Sequence, residues 1–306
     1  MSMQYSLTEL FKTEKVVLAP EVYDCASAKT VEMCGYKASV LSGAELSASM
    51  LGIPDLGIMN VEELYYATSR ICNAHKLPMV VDAEDGYGPA INAYNTCKRL
   101  AKCGAGGVII VDSVETRIGS NPPCLPLDEA IGKYKACAEA LKGTDCILVA
   151  RTDATDFDDA LNRSIKYREA GADMTLVFMI NYLDHDKRFD ACKEIAKHDK
   201  GWKWYPDLGC HDGKSDVTLA EIAEYGFNFV GVHYLLGSAM YGMIDCGRHT
   251  FERQDNTYFE PMNIWGPLRD VENIEFLYNL ERSWNDDPDL IKRWPYSFLE
   301  RYKNKE

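Results

Sequence analysis

Eight short apolar runs alternate with helical stretches along most of the chain, and this alternation constrains the fold more than any other feature of the sequence. The apolar cores of the runs are continuous rather than alternating, which is typical of parallel strands that are buried on both faces. The runs span residues 16–24, 38–45, 77–84, 106–113, 146–154, 173–180, 203–208 and 227–234.

Several of the intervening helical patterns end at a glycine that leads into the next strand. Gly35, Gly104, Gly171 and Gly226 stand at such junctions, where the left-handed cap of a helix favours glycine. Eight strand–helix units in succession predict an α/β fold, a closed (β/α)8 TIM barrel over residues 1–246. An open doubly wound sheet is the alternative, but the first strand is not followed by the GxGxxG motif of dinucleotide-binding sheets.

The segment 247–306 differs in composition from the rest, being rich in Trp, Tyr, Arg and Asp. Its pattern predicts two or three amphipathic helices outside the barrel, and their exposed aromatic residues need a partner surface. Two arrangements remain open at this point: contacts with other copies of the chain in an oligomer, or packing against the parent barrel.

The charge balance of the chain excludes some partners. There are 33 Lys and Arg residues against 47 Asp and Glu residues, a net charge of −14, and such a surface repels nucleic acid and anionic membranes. An anionic substrate stays possible, because local cations can dominate inside a cleft.

No apolar run has the ~18–20 residues that cross a bilayer, and the N-terminus lacks a signal-peptide core. Scattered cysteines without a CxxC pair favour reduced thiols and a cytoplasmic location.

Acidic residues mark the end of the third predicted strand. The carboxyl ends of the strands form the active-site face of a barrel. Asp82 and Glu84 are two positions apart, so their side chains point to the same side. Paired carboxylates repel each other and favour a hard cation such as Mg²⁺ or Mn²⁺. The alternative interpretation is a pair of solvated acids in surface salt bridges.

Arg151 is the one basic side chain that we place at a strand end. A guanidinium group there could clamp a carboxylate and balance developing negative charge. The alternative is a structural ion pair with Asp153 or Asp112.

Two further strand ends carry candidate substrate contacts. The backbone of Ser42, Gly43 and Ala44 can approach a ligand closely because glycine has no side chain, although a tight strand-to-helix turn would explain the same residues. His233, after the eighth strand, is a candidate general acid or base, or a structural histidine.

Several segments resemble the isocitrate lyase/phosphoenolpyruvate mutase superfamily over residues 16–245. They are VYDCASAKTVEMCGYKASVLSGAELSAS, LGIPDLG, VVDAEDGYG, the strand that ends at Asp112, and VARTDA, in the superfamily's order and spacing. LGIPDLG and ARTDA are especially similar to the methylisocitrate lyase branch.

The resemblance implies a homotetramer, often with swapped C-terminal helices, and a Mg²⁺ ion that holds an α-oxo-carboxylate. Members cleave or form C–C or C–P bonds through an enolate-type intermediate, which Mg²⁺ stabilises as a Lewis acid. The roles it implies here are carboxylate binding by Ser42, Gly43 and Ala44, metal binding by Asp82 and Glu84, water-mediated metal contacts by Asp55 and Asp112, substrate contact by Arg151, and a nearby position for Tyr23.

The sequence also departs from the superfamily's pattern. The lyase branch carries a loop with Lys-Arg-Cys-Gly-His, whose cysteine acts as acid and base. Residues 117–121 stand there in this chain, with Gly119 at the cysteine position. Val111 replaces a glutamate before Asp112, and apolar Phe178 and Met179 replace the acidic position of the sixth strand. The Pro-Lys-x-Asn-Ser loop of the mutases is missing as well.

Three functions follow from these observations. The first is a Mg²⁺-dependent lyase that cleaves a C–C bond next to an α-oxo or α-hydroxy carboxylate. The second is an oxo-acid decarboxylase or hydrolase of the oxaloacetate type, which would not need the cysteine loop. The third is a non-catalytic relative that keeps the pocket to bind a small carboxylate.

Overall fold

Parallel strands close into a barrel that matches the (β/α)8 prediction. The computed structural model describes residues 3–113, 123–211, 214–260 and 270–284. Each barrel strand pairs in parallel with its neighbours in the sequence, and the eighth strand pairs with the first to complete the ring. The strands are β1 (Val17–Val22), β2 (Ser39–Leu41), β3 (Met79–Asp82), β4 (Gly107–Val111), β5 (Ile147–Thr152), β6 (Met174–Val177), β7 (Trp202–Asp207) and β8 (Phe229–Val232).

Helices follow the strands around the barrel, and polar side chains begin many of them. Asp24, Asn60 and Thr218 each accept a backbone hydrogen bond in a capping box at a helix start, which satisfies N–H groups that the helix leaves free. The helices are α1 (Leu7–Thr13), α2 (Cys25–Met33), α3 (Gly43–Leu51), α4 (Val61–Ala74), α5 (Ala90–Cys103), α6 (Leu127–Leu141), α7 (Phe157–Glu169), α8 (His185–His198), α9 (Leu219–Glu224), α10 (Leu235–Arg253) and α11 (Ile274–Trp284).

The strands separate two layers of core. Inward-facing residues such as Val40, Ile109 and Trp204 form one buried cluster together with Leu7 and Leu10 of α1. The outward-facing residues pack against the surrounding helices in further clusters. Because α1 contributes to the inner cluster, the barrel interior is filled by side chains, as expected for this fold.

Three local features differ from the sequence prediction. The second apolar run ends as a strand at Leu41, because Ser42 caps α3. The sixth run ends as a strand at Val177 and continues as a 3₁₀ helix, Phe178–Tyr182. A short antiparallel hairpin, Cys210–His211 with Lys214–Ser215, follows β7. Apolar runs that are buried on every side give no signal for where a strand ends.

The chain divides into two compact units, Met1–His249 and Thr250–Glu306. α11 belongs to the described part of the second unit, and the predicted domains, 1–246 and 247–306, stay a prediction. The oligomer contacts of the extension stay a prediction. Within the described ranges, no helix is long and apolar enough to span a membrane.

Candidate active site

A cavity of about 480 Å³ lies at the carboxyl ends of the barrel strands. Its floor consists of apolar inward-facing residues of four strands, and its walls are made by residues that follow the strands. The floor residues are Val40, Ile109, Leu176 and Trp204; the walls contain Glu21, Ser42, Ala44, Asp55, Asp82, Arg151, Asp153, Thr155, Phe178, Met179, Tyr182, Pro206 and His233. Six residues predicted from the sequence therefore meet in one cavity: Ser42, Ala44, Asp55, Asp82, Arg151 and His233.

Arg151 is held rigidly at the end of β5. It is 8% exposed, and its Nε and Nη2 donate to the two carboxylate oxygens of Asp153 at 2.7 and 3.2 Å. Nη1 lies 3.9 Å from Oδ2 of Asp82, and the ring of Phe178 covers the guanidinium, with its centroid 3.9 Å from Cζ. The predicted pairing with Asp153 is thus present, and one edge of the guanidinium remains directed toward Asp82.

Asp112 lies behind the cavity wall instead of among the residues that line it. It is fully buried, and its carboxylate accepts hydrogen bonds from Thr152 Oγ1 and Tyr167 Oη, both at 2.7 Å, and from the backbone N–H of Asp153 at 3.0 Å. Arg163 Nη1 lies 3.5 Å from the same carboxylate. This geometry does not support the metal contact predicted for Asp112, because its oxygens face donors of α7 and of the end of β5.

The N-terminus of α3 forms the wall beside β2. Ser42 accepts a hydrogen bond from the N–H of Glu45, so the helix begins at Gly43 with its first N–H groups near the cavity. A Cβ atom on Gly43 would stand 2.3 Å from Oε1 of Glu84 and 3.9 Å from Oδ2 of Asp55. Only glycine leaves room for the Glu84 carboxylate at this point, and the positive end of the α3 dipole lies next to it.

The turn after β3 concentrates carboxylates. Glu84 and Tyr87 adopt positive φ angles of 52° and 61°, which are uncommon for residues with side chains and mark a constrained backbone. Burial raises the pKa of the Tyr87 phenol, and the charges of Glu84, Asp82, Asp55 and Asp85 raise it further. Four acidic groups thus surround one buried ring, an arrangement that a cation would stabilise.

The donor chemistry of this turn fits Mg²⁺. Among the described residues, no three His, Cys, Asp or Glu side chains form a ready-made ligand shell. Mg²⁺ commonly uses one or two protein carboxylates and completes its octahedron with waters and substrate oxygens. Asp82, Glu84 and Asp55 would hold it through oxygen atoms. Asp85 is directed elsewhere, since its carboxylate lies 3.7 Å from the Lys133 ammonium group.

A second group of titratable residues lies around His233. Its Nδ1 is 3.4 Å from Oε1 of Glu45, and its Nε2 is 3.9 Å from Oε1 of Glu21. The hydrogen bond with Glu45, together with the charges of Glu21 and Asp207, raises the pKa of His233 to about 9. Burial, more than the neighbouring acids, raises the pKa of Glu21 to about 8. His233 therefore carries a proton at neutral pH on this side of the cavity.

The remaining predicted residues lie away from the cavity or outside the described ranges. Tyr23 is half-buried and packs against the outer core, near Glu45, whose charge contributes to the raised pKa of the phenol. Cys124 pairs with Ser113 in a β-bridge, and burial raises the pKa of its thiol to about 12. This makes Cys124 a poor substitute for the catalytic cysteine. Residues 117–121, including Gly119, lie outside the described residues.

Sequence reasoning did not place several residues of the cavity, among them Glu21, Trp204 and Phe178. Glu21 shares the inward face of β1 with Val17 and Ala19. The available signal was the two-residue spacing of 17, 19 and 21, which places the glutamate on the same face as two apolar residues. Trp204 forms part of the floor, and among the described residues its buried Nε1 has no hydrogen-bond partner. The stacking of Phe178 on Arg151 had no local signal, because Arg151 lies on β5 and Phe178 in the 3₁₀ helix after β6.

Comparison with known proteins identifies the family of the chain. The model of the phosphoenolpyruvate phosphomutase family matches residues 7–248. The chain therefore belongs to this family, within the isocitrate lyase/phosphoenolpyruvate mutase superfamily of lyases and mutases.

Three relatives illustrate the range of activities among similar proteins. The chain is 32% identical to 2,3-dimethylmalate lyase of Eubacterium barkeri over 58% of its length and 63% of that protein. It is 34% identical to 2-methylisocitrate lyase of Aeropyrum pernix over 60% of each, and 33% identical to oxaloacetate decarboxylase of Rhodopseudomonas palustris over 50% and 54%. Each match spans less than two thirds of the relative's own length.

A solved structure shares the fold. Phosphonopyruvate hydrolase, determined with oxalate and Mg²⁺, superimposes with a TM-score of 0.77 at 20% identity, covering 87% of this chain and 93% of that one. At this identity the likeness establishes the architecture.

Proposed function

We propose that this protein is a Mg²⁺-dependent lyase that cleaves a C–C bond next to an α-oxo or α-hydroxy carboxylate through an enolate-type intermediate. One observation carries the proposal: Asp82 of β3 and Arg151 of β5 lie 3.9 Å apart in a cavity whose adjacent wall is the N-terminus of α3. This arrangement suits an oxo acid, whose carboxylate and oxo oxygens are adjacent. It combines an acidic metal position, a fixed guanidinium and a helix N-terminus in one cavity.

Each wall has a separate task in this proposal. The N–H groups at the start of α3 bind the substrate carboxylate, as helix N-termini bind anions. Asp82 and Glu84 would hold Mg²⁺ with Asp55 close by, and the ion would supply Lewis-acid stabilisation of negative charge on the substrate's oxo oxygen. Arg151 presents its free edge to the negative charge that develops in the transition state, and Asp153 prevents the guanidinium from moving away.

Decarboxylation of an oxo acid of the oxaloacetate type is the second candidate, and the His233 cluster favours it. Loss of CO₂ leaves an enolate that needs one proton on carbon, and His233 carries a proton at neutral pH because its pKa is raised to about 9. The reaction does not need the cysteine of the lyase loop. A relative with this activity supports the candidate.

A ligand screen followed by product analysis tests the proposal. We expect oxo acids and oxalate to raise the melting temperature of the protein only when Mg²⁺ is present, since a ligand that binds the folded state stabilises it. Nuclear magnetic resonance of the reaction mixtures then separates the candidates: a lyase releases two organic fragments, and a decarboxylase releases CO₂ and one.

Two variants make the test specific. Asp82→Ala should abolish turnover under either enzymatic function, whereas Asp85→Asn, in the same turn but paired with Lys133, should retain it. Stabilisation by oxo acids with no product from any of them would contradict an enzyme and favour a carboxylate-binding protein. A homotetramer and a cytoplasmic location belong to the same proposal, and size measurement of the purified protein tests the first.

A further inference from the structure

One side of the cavity is apolar over its whole height. Residues 174–183, which comprise β6 and the 3₁₀ helix after it, contain no charged side chain. Four of them line the cavity: Leu176, Phe178, Met179 and Tyr182, called the β6 wall below. Met179 is 8% exposed, while Tyr182 is 69% exposed at the rim, so the wall runs from the floor of the cavity to solvent.

The β6 wall faces the predicted carboxylate site. In the closed ring, β6 is four strands from β2 in either direction, so the two strands stand across the barrel from each other. Ser42 and the start of α3 follow β2, and they lie on the cavity side that is opposite Met179. A small acid whose carboxylate lies at α3 therefore directs its other end toward the β6 wall.

The four residues of the β6 wall carry no charge that could pair with a second anionic group. The guanidinium of Arg151 lies beside the wall, but Phe178 covers its face and Asp153 occupies its Nε and Nη2. Its remaining edge, Nη1, is directed toward Asp82. An anion pressed against Met179 would lose its hydration without gaining a partner, which is costly. A hydrocarbon group at the same place would be stabilised, because its transfer from water to an apolar surface is favourable.

We propose that the β6 wall is a subsite for an alkyl substituent, so that the substrate is an oxo or hydroxy acid that carries a hydrocarbon group on the carbon distal to its bound carboxylate. The inference rests on the proposed function and adds to it the class of substrate. It names Met179 and Phe178 as specificity-determining residues. Glu21 on β1, Asp207 on β7 and His233, which follows β8, are left to contact any further polar group.

Binding of a series of oxo acids tests this subsite. Pyruvate, 2-oxobutyrate and 2-oxopentanoate differ by one methylene each, and calorimetric titration with Mg²⁺ gives their affinities. We expect each added methylene to tighten binding about fourfold, the value for transfer of one CH₂ group out of water. Oxalate has no alkyl group and serves as the reference ligand.

Two variants locate the effect. Met179→Gln has a similar volume but a polar end, so we expect the affinity gain along the series to fall to less than about twofold per methylene, while oxalate binds as in the wild type. Ile180→Val is the matched control. Ile180 belongs to the same 3₁₀ helix but is fully buried in the outer core, so this variant should keep the fourfold steps.

The outcomes separate the two proposals. If oxalate and pyruvate bind but affinity does not rise with chain length, or if Met179→Gln keeps the wild-type steps, the alkyl subsite is overturned and the proposed function stands. If neither oxalate nor any oxo acid binds with Mg²⁺, the proposed function fails and the subsite fails with it.

Discussion

At the scale of single residues, Asp112 supports the site from behind. Its carboxylate accepts the N–H of Asp153, and the Asp153 carboxylate in turn holds the Arg151 guanidinium. Tyr167 and Arg163 of α7 hold Asp112 on its other side. Asp112 is therefore a positioning residue that fixes Arg151 through Asp153.

Asp112→Asn separates this role from metal binding. We expect kcat/KM to fall roughly 100-fold, as displacement of a catalytic group by about 1 Å can cause, and the free energy of unfolding to fall by about 2–4 kcal/mol because a buried, hydrogen-bonded charge is removed. Calorimetry with Mg²⁺ and oxalate should show nearly unchanged metal affinity. A loss of metal affinity as large as that of Asp82→Asn would identify Asp112 as a ligand instead.

Some of these residues could be predicted from the sequence because they follow a strand whose position in the chain is clear. Asp82, Arg151 and His233 are such cases. Asp112 follows a strand just as clearly, but it shares its side with Val108 and Ile110, which face the helix layer. All five residues of β4 are apolar and buried, so the sequence does not reveal which of its faces points inward.

At the scale of secondary-structure elements, the start of α3 joins the carboxylate site to the metal position. Gly43→Ala tests this junction, because the new Cβ would stand 2.3 Å from Oε1 of Glu84 and would displace that carboxylate. We expect the Mg²⁺ concentration that gives half-maximal activity to rise roughly tenfold or more. The stability of the helix should change little, since alanine is a good helix former.

A glycine in another helix provides the control for this prediction. Gly132 of α6 has open space where a Cβ would stand, so Gly132→Ala should leave the Mg²⁺ requirement unchanged. Equal metal dependence of Gly43→Ala and the wild type, measured by titration of activity or oxalate binding, would show that Glu84 does not hold the metal.

The element that could not be predicted is the 3₁₀ helix after β6. Residues 174–180 carry no charge and, apart from the half-buried Phe178, are buried as a strand would be. The run gives no sign that the ladder ends at Val177. Tertiary packing decides this. Met179 and Ile180 both belong to the outer core cluster, but only Met179 also lines the cavity. The alkyl subsite therefore follows from the structure and not from the sequence.

At the scale of the whole molecule, the barrel is also tied together at the end opposite the cavity. Asp199, 3% exposed, accepts hydrogen bonds from Arg168 at 3.1 and 3.0 Å and from Thr175 at 2.6 Å. These contacts join α7, β6 and the end of α8. Burial alone would raise the pKa of Asp199, but the hydrogen bonds and the charge of Arg168 outweigh burial and hold it below its ordinary value.

This pKa shift predicts a pH-dependent contribution to stability. An acid whose folded pKa is lowered stabilises the fold above its ordinary pKa, near 4, and loses that contribution as pH falls through the folded value. We expect Asp199→Asn to cost about 2–4 kcal/mol at pH 7, and the difference from the wild type to shrink below about pH 4. Urea unfolding at several pH values measures it.

Glu169 provides the control for this prediction. It pairs with Lys166 on the surface of α7, where both side chains are largely exposed, and exposed pairs contribute little to stability. Glu169→Gln should therefore unfold like the wild type at pH 7. A difference between Asp199→Asn and the wild type that stays constant from pH 7 to pH 3 would contradict the role assigned to the Asp199 carboxylate.

The central claim is that the cavity generates an enolate from an oxo acid, and isotope exchange tests it without knowledge of the substrate. In D₂O, an enzyme that forms the enolate of pyruvate exchanges the methyl hydrogens for deuterium, which proton nuclear magnetic resonance records as loss of the methyl signal. We predict exchange that requires Mg²⁺ and is lost in Asp82→Asn and Arg151→Lys. If pyruvate binds in the presence of Mg²⁺ and its methyl signal persists at the rate of the enzyme-free control, the account is contradicted.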